Sequence, residues 1–227
     1  MLATIGARIA NLLFGGRCFL CKGAASAILC SACDADLPRL AAGLCPRCAL
    51  ASPAGALCGR CLANAPRFDA THAALAYRFP ADALVHSLKF RGELALAPLL
   101  GALLVRSIPQ NGVHCVVPVP LSAERLRERG YNQALEIARH VLPRGAARLV
   151  PGLCERVRDT PAQMGLSLSE RARNVAGAFR CTGFAEGLRV AVLDDVMTTG
   201  ATLDEIAGTL KRAGAAWVEN WVVARTA

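Results

Sequence analysis

Four copies of one short cysteine unit lie within the first 61 residues of this 227-residue chain. Each unit is Cys-x2-Cys, and together they hold eight of the 11 cysteines: Cys18, Cys21, Cys30, Cys33, Cys45, Cys48, Cys58 and Cys61. Two such units supply four thiolates to one tetrahedral metal ion, so four units predict two zinc sites. Four cysteines leave no position for water on the ion, and we therefore expect structural zinc.

The order of the units leaves two ways to pair them. Sequential ribbons would pair the first unit with the second, whereas a cross-braced arrangement would pair the first with the third. Short loops cost less closure entropy, which favours sequential ribbons. Disulfides are the alternative to zinc, but they need an oxidising compartment, and the sequence shows no recognisable export signal. A redox role for one unit would not explain four, so we expect a cytoplasmic protein with reduced thiols.

The cysteine-rich region contains mostly scattered leucines and cannot build a large core. Metal binding must therefore supply its folding free energy, on the order of 10 kcal/mol per site. We expect residues 1–66 to form an N-terminal helix and a double zinc ribbon, and residues 67–227 to form a second domain. The longest apolar run, 94–105, is too short to cross a membrane, so we expect no membrane span.

From about residue 68 the pattern changes to alternating strands and helices. The predicted strands are 73–79, 113–119, 148–157, 189–193 and 217–224, and the predicted helices are 81–90, 93–107, 132–142, 169–176 and 203–213. We interpret the segment after Pro120 as a loop. This order predicts an α/β domain with a mainly parallel sheet flanked by helices.

One segment of this domain carries the strongest functional signal. A buried strand delivers Asp194 and Asp195 to its carboxyl end, which is where open α/β sheets bind ligands. The turn that follows consists of Thr198, Thr199, Gly200, Ala201 and Thr202. Its backbone N–H groups and hydroxyls can bind a phosphate next to a helix N-terminus. The two carboxylates can hold ribose hydroxyls or the shell of Mg²⁺. An ordinary capped helix would explain Thr202 but not the paired acids.

This segment resembles the 5-phosphoribosyl-1-pyrophosphate (PRPP) motif of type I phosphoribosyltransferases. With the four cysteine units, the chain resembles the ComF/GntX family over nearly its whole length. Further matching stretches are 89–92, 117–120, 129–133 and 163–174. The resemblance implies a type I phosphoribosyltransferase-like fold. It also implies that Asp194 and Asp195 face the ribose hydroxyls and, through water, Mg²⁺, while residues 198–202 hold the 5-phosphate of PRPP.

The resemblance also implies phosphate-binding side chains outside this motif. The segment after Pro120 corresponds to the pyrophosphate loop, and its arginine spacing favours Arg125 and Arg129 over Arg127. The alternative for these arginines is a solvated helix face. Lys89 can reach a phosphate or extend into solvent from a helix end. Residues 156–169 correspond to a mobile loop, and the polar candidates there and just beyond it are Arg158, Thr160, Gln163, Arg171 and Asn174.

In function, the resemblance implies a cytoplasmic step in the handling of imported DNA during natural competence. As a transferase, the protein would use Mg²⁺ and arginines, including Arg125 and Arg129, to stabilise the departing pyrophosphate. The sequence does not specify the acceptor. The alternative is a non-catalytic module that binds PRPP or a nucleotide phosphate together with single-stranded DNA. Single-stranded DNA and a competence helicase are the macromolecular partners that this reading suggests.

Overall fold

The computed structural model describes residues 16–40, 42–109, 112–142, 147–159 and 168–227. The helix expected at the N-terminus lies outside these ranges, as do Thr160, Gln163 and the side chain of Arg171. Among the residues that are described, no helix has both the length and the apolar character needed to cross a membrane.

Within the described ranges, seven strands form two sheets. They are β1 (Ala70–Ala76), β2 (Cys115–Pro118), β3 (Arg148–Leu149), β4 (Cys154–Arg156), β5 (Phe179–Cys181), β6 (Arg189–Met197) and β7 (Trp217–Arg225). Five of them make a parallel sheet in the order β1-β7-β6-β2-β3, and β4 pairs with β5 as an antiparallel ribbon. The predicted mainly parallel sheet is therefore confirmed.

Helices cover both faces of the parallel sheet. They are α1 (Ser31–Ala35), α2 (Gly59–Ala63), α3 (Ala81–Phe90), α4 (Leu96–Val105), α5 (Ala123–Arg129), α6 (Gln133–Ala138), α7 (Leu168–Val175) and α8 (Ala201–Arg212), with short 3-10 turns at Pro53–Gly55 and Pro151–Leu153. In β6, Ala191 and Leu193 pack in one core with α3, α4 and α6, while Val190 and Val192 pack in a second core with α8. Successive side chains of a strand point to opposite faces, so a strand covered on both sides is apolar throughout.

Two parts of the predicted pattern were wrong. The strand expected at 148–157 is interrupted at Pro151, and its halves β3 and β4 belong to different sheets. Proline has no backbone N–H to donate to a ladder, which explains the break. The expected loop after Pro120 contains helix α5. Its N-terminus is capped by Ser122, whose hydroxyl accepts the Arg125 N–H at 3.3 Å, and Gly130 ends it with a φ of +80°.

The cysteine-rich module packs directly on the sheet. The backbone N–H of Thr71 donates to the Pro46 carbonyl at 3.0 Å, and the N–H of Ala76 donates to the Pro38 carbonyl at 2.8 Å. Cys18 belongs to the core beside α3 and α4, whereas Cys45 belongs to the core beside α8. The module is therefore supported by the sheet as well as by metal, and a domain boundary at residue 66 stays a prediction.

Candidate phosphate-binding site and metal centres

A cavity of about 380 Å³ opens where β2 and β6 end. Ligands of open α/β sheets usually bind at this edge. The lining comes from segments that are far apart in sequence: Tyr77, Lys89, Phe90, 119–121, Arg125, Arg129, Gln133, Arg156 and 194–203. The structure thus brings the paired acids, the threonine-rich turn and two of the expected arginines into one cavity.

The two carboxyl groups of the motif have different partners. Strand β6 continues through both residues to Met197, so they are held by the ladder to β7 rather than by a loop. Lys89 places its Nζ 2.8 Å from Oδ2 of Asp195, which is 2% exposed. Oδ1 of Asp194 accepts the backbone N–H of Asp195 at 2.8 Å. The ion pair therefore fixes Asp195, and Asp194 presents the second carboxyl group to the cavity.

These environments move the two pKa values apart. Burial and the neighbouring Asp195 carboxylate raise the pKa of Asp194 well above its usual value. Burial opposes ionisation of Asp195 as well, but the Lys89 ammonium outweighs it and lowers the pKa of Asp195. Burial likewise works against the charge on Lys89, yet the two carboxylates raise its pKa. The Lys89–Asp195 ion pair therefore leaves Asp194 as the carboxyl group of the two that more readily holds a proton.

The turn after β6 has the backbone geometry that a phosphate cradle needs. Gly200 has a φ of +85°, a conformation that an L side chain rarely adopts. A Cβ atom there would lie 2.7 Å from Cε of Met197, so the position also has no room for one. The Thr199 hydroxyl accepts the Ala201 N–H at 3.2 Å, and α8 begins at Ala201. The turn is thus fixed locally at a helix N-terminus.

Helix α5 directs two of its arginines toward this turn. Arg125 and Arg129 line the cavity four residues apart, while Arg127 is not among the described lining residues. Arg129 donates to the side-chain oxygen of Gln133, and its guanidinium carbon lies 5.3 Å from the centre of the Phe90 ring. Residues four apart share one face of a helix, which is why Arg127 diverges.

The roles of two cationic side chains of the cavity do not follow from the sequence. For Lys89 the sequence allows either a phosphate contact or an extension into solvent, and the structure shows an ion pair with Asp195. Arg156 was noted only as the start of the mobile segment, yet it lines the cavity from the end of β4. Arg158 was favoured instead, but its guanidinium donates to the carbonyls of Asn174 and Ala176, at 3.1 and 2.6 Å. Arg156 reaches the cavity from the antiparallel ribbon of β4 and β5, and only β4 of this ribbon falls within a strand predicted from the sequence.

The eight paired cysteines form two separate groups. One contains Cys18, Cys21, Cys30 and Cys33, and the other contains Cys45, Cys48, Cys58 and Cys61, with the sulfur atoms of each group within 4.8 Å of one another. Cys21 and Cys30 have their sulfurs 3.8 Å apart, and Cys48 and Cys58 3.5 Å apart. A zinc–sulfur bond of about 2.3 Å gives a tetrahedral sulfur–sulfur distance of about 3.8 Å, so both groups fit zinc. Sequential pairing is confirmed.

Backbone N–H groups stabilise the thiolate form of one cysteine in each group. Burial would raise the pKa of Cys18 and of Cys45, but neighbouring backbone N–H groups outweigh it and lower each to about 6. The Cys58 N–H, for example, donates to the Cys45 sulfur at 3.4 Å. Zinc binds thiolates, so each group holds one ligand that is ionised at neutral pH.

The other three cysteines lie outside these groups. Cys115 and Cys154 are 4% and 1% exposed and pack in the core as small apolar residues, whereas Cys181 is half-buried. Burial raises the pKa of Cys115 to about 11 and that of Cys154 to about 12, so these thiols stay protonated at neutral pH. His86 packs against Phe90, with the centres of the two rings 4.8 Å apart.

Comparison with known proteins gives consistent matches over both halves of the chain. The Double zinc ribbon domain family matches residues 9–62. DNA utilization protein YhgH of Salmonella typhimurium is 35% identical over 222 residues, which cover 93% of this chain and 97% of that protein. Competence protein F of Haemophilus influenzae is 30% identical over 226 residues, covering 93% of this chain and 98% of that protein.

Among solved structures, the allosteric regulatory enzyme of purine biosynthesis aligns with 56% of this chain and 25% of its own. The identity is 23% and the TM-score is 0.37, which is too low to support an argument about function.

Proposed function

Because this chain belongs to the ComF family, which includes DNA utilization protein YhgH and Competence protein F, we propose that it binds PRPP with Mg²⁺ during cytoplasmic handling of imported DNA. The observation that carries the proposal is the meeting of Asp194, Asp195 and the 198–202 turn with Arg125 and Arg129 around one cavity. A phosphoribosyl ligand has a sugar diol between two phosphate groups, and this arrangement offers complementary chemistry to each part.

Each part of the cavity would hold a different part of the ligand. The backbone N–H groups of the 198–202 turn would bind the 5-phosphate, aided by the N-terminus of α8. Asp194 and Asp195 would accept hydrogen bonds from the ribose hydroxyls, and their hard oxygen atoms also suit a hydrated Mg²⁺. Arg125, Arg129 and Arg156 would pair with the pyrophosphate oxygens.

In a transfer reaction, the bond between ribose C1 and the pyrophosphate oxygen would break, and a bond from C1 to an acceptor nitrogen would form. The bonding electrons leave with pyrophosphate, and the proton on the acceptor nitrogen passes to solvent. Mg²⁺ would neutralise charge on the leaving group. Arg125 and Arg129 would do the same from the protein side, so the reaction needs positioning and electrostatic stabilisation more than an acid–base residue.

Titration calorimetry with PRPP and Mg²⁺ tests the proposal, and its pH dependence tests the state of Asp194. A ligand that requires ionised Asp194 must displace the proton that the raised pKa retains. We therefore expect affinity to rise with pH, by up to about tenfold per unit, until Asp194 ionises in the free protein. The measured enthalpy should also depend on the ionisation enthalpy of the buffer.

Absence of PRPP binding at every pH would overturn the proposed function. PRPP binding that is independent of pH and of the buffer would be consistent with the proposed function but would show that Asp194 does not release a proton on binding. Release of pyrophosphate in the presence of a panel of bases and amines then separates a transferase from a binding protein.

A second candidate function, binding of single-stranded DNA, is favoured by the aromatic rim of the same cavity. Phe90 is 63% exposed, and Tyr77 lines the cavity with it. Arg129 lies over the Phe90 ring, and Arg125 is one helical turn away. Exposed aromatic rings beside cations provide stacking and backbone contacts for unpaired bases.

We expect Phe90→Ala to weaken binding of a fluorescent single-stranded oligonucleotide by about tenfold at low salt, since stacking contributes roughly 1–3 kcal/mol per base. Leu126→Ala is the matched control, because Leu126 is 45% exposed on α5 but is not among the lining residues. The measurement is fluorescence anisotropy. Equal loss in both variants, or none in either, would count against stacking on Phe90.

A further inference from the structure

The second cysteine group lies next to the threonine-rich turn, and none of its cysteines is among the described residues that line the cavity. Arg60 stands between Cys58 and Cys61, and its Nη2 donates to the Thr199 carbonyl at 3.1 Å. Arg225, at the end of β7, donates its Nε to the Cys48 carbonyl at 2.9 Å. Two guanidinium groups therefore connect the cysteine module to the opposite end of the chain.

Arg225 also binds the turn. Its Nη1 donates to the Met197 carbonyl at 3.0 Å and to the Thr198 carbonyl. With Arg60 on Thr199, three successive carbonyls are held by cations from one side. In a trans peptide the N–H points opposite to the C=O of the same unit. Because the carbonyls of 197–199 face Arg60 and Arg225, the N–H groups of 198–200 point away from these two arginines.

Arg225 is connected to the second cysteine group through the backbone of one of its cysteines. The side chain of Arg225 is buried, with the residue 3% exposed, and its Nε donates to the Cys48 carbonyl at 2.9 Å. Zinc held by the Cys48 sulfur would fix the position of this residue and therefore of the carbonyl that Arg225 binds. Loss of the metal would free Cys48 to move and would remove this support from the arginine.

The first cysteine group has no such connection among the described residues. Its neighbours lie in the core beside α3 and α4. Two nearby cations bind within the module: Lys22 donates to the Phe19 carbonyl at 2.8 Å, and Arg39 pairs with Asp34 at 2.8 Å. None of the hydrogen bonds found for residues 16–37 reaches the 197–200 turn. The two groups are therefore not equivalent with respect to the turn, and the first serves as an internal control.

We propose that the second cysteine site, with Arg60 and Arg225 as positioning residues, supports the phosphate-binding turn, so that zinc retention at this site and phosphoribosyl affinity are coupled. The ligand side of this inference rests on the proposed function. Coupling is reciprocal, so PRPP binding should slow zinc release from the second site and leave the first site unchanged.

Two measurements on the full zinc-loaded chain test the proposal. Hydrogen exchange of the 198–200 amides, with no ligand present, should be faster in Arg60→Ala and Arg225→Lys than in wild type, and unchanged in Arg39→Ala. Arg60 is exposed, so Arg60→Ala keeps the test decisive if Arg225→Lys fails to fold. Arg60→Ala should also weaken PRPP binding about fivefold with two zincs retained, and Arg60→Lys should restore part of it.

The second measurement is zinc release to a colorimetric chelator with and without PRPP and Mg²⁺. We expect one of the two release phases of wild type to slow at least fivefold with PRPP, and this protection to shrink in Arg60→Ala. If PRPP binds but slows neither phase, the coupling is wrong. If wild type binds no PRPP, the proposed function fails, and unchanged amide exchange in Arg60→Ala would separately overturn support of the turn.

Discussion

Asp194→Asn should weaken PRPP binding about 100-fold while leaving the fold intact. The substitution removes a carboxylate that would accept the ribose hydroxyls, and charged hydrogen bonds of this kind contribute roughly 1.5–3 kcal/mol each. A loss of affinity of about 100-fold follows if two are lost. Because burial already disfavours the charged form of Asp194, an amide should be tolerated or slightly stabilising. Calorimetry and thermal unfolding measure the two effects.

Asp195→Asn should lose both PRPP binding and stability. It leaves the Lys89 ammonium without its carboxylate 2.8 Å away, and breaking a fully buried pair costs roughly 3–5 kcal/mol. The Lys89 side chain is 28% exposed, so we expect about 2 kcal/mol here. Asp36→Asn, an exposed acid of the cysteine module, is the control for both variants. Unaltered PRPP affinity in Asp194→Asn would contradict the assigned role of the carboxylates.

The second large effect is expected at the zinc sites. Purified, reduced protein should contain two zincs per chain, and Cys45→Ser with Cys48→Ser should remove one of them. A structural zinc contributes on the order of 10 kcal/mol, comparable to the whole stability of a typical domain. Loss of the second site should therefore unfold its ribbon and expose the core that contains Cys45, Cys48 and Phe68. Metal analysis and thermal unfolding measure these outcomes.

Cys181→Ser is the matched control for the zinc experiment. Cys181 is half-buried and lies outside both groups, so this variant should retain two zincs and most of its stability. Cys18→Ser with Cys21→Ser should remove the other ion. Loss of both zincs on substitution of either group would argue against separate sequential sites, and a folded, reduced wild type without zinc would reject the assignment.

Local sequence patterns predicted much of the fold and of the candidate site. Helix α3 was placed at its observed bounds and β7 within one residue of its own, because apolar runs with clear ends determine element type. Strand β6 begins where it was predicted but continues four residues beyond the predicted end, to Met197. The predicted ends of helices and strands were wrong where a capping residue or a proline sets the observed end. Ser122 starts α5 in a segment expected to be a loop, and Pro151 divides β3 from β4.

Contacts between distant segments account for what the sequence did not reveal. Lys89 and Asp195 are 106 positions apart, Arg60 and Thr199 are 139 apart, and Arg225 and Cys48 are 177 apart. Nothing in the spacing of such residues indicates that they meet. Their proximity depends on the strand order, in which β7 inserts between β1 and β6 and carries Arg225 to the end of β6.

The sequence alone determined the eight cysteines of the metal sites, favouring their sequential pairing, and the strand–turn–helix that carries Asp194, Asp195 and the 198–202 turn. In both cases the parts lie close together along the chain, so short-range geometry suffices to assemble them. Only the tertiary structure decided that Lys89 pairs with Asp195 and that the second cysteine group supports the turn. Those contacts depend on the order of the strands in the sheet, which brings together segments that are far apart in the sequence.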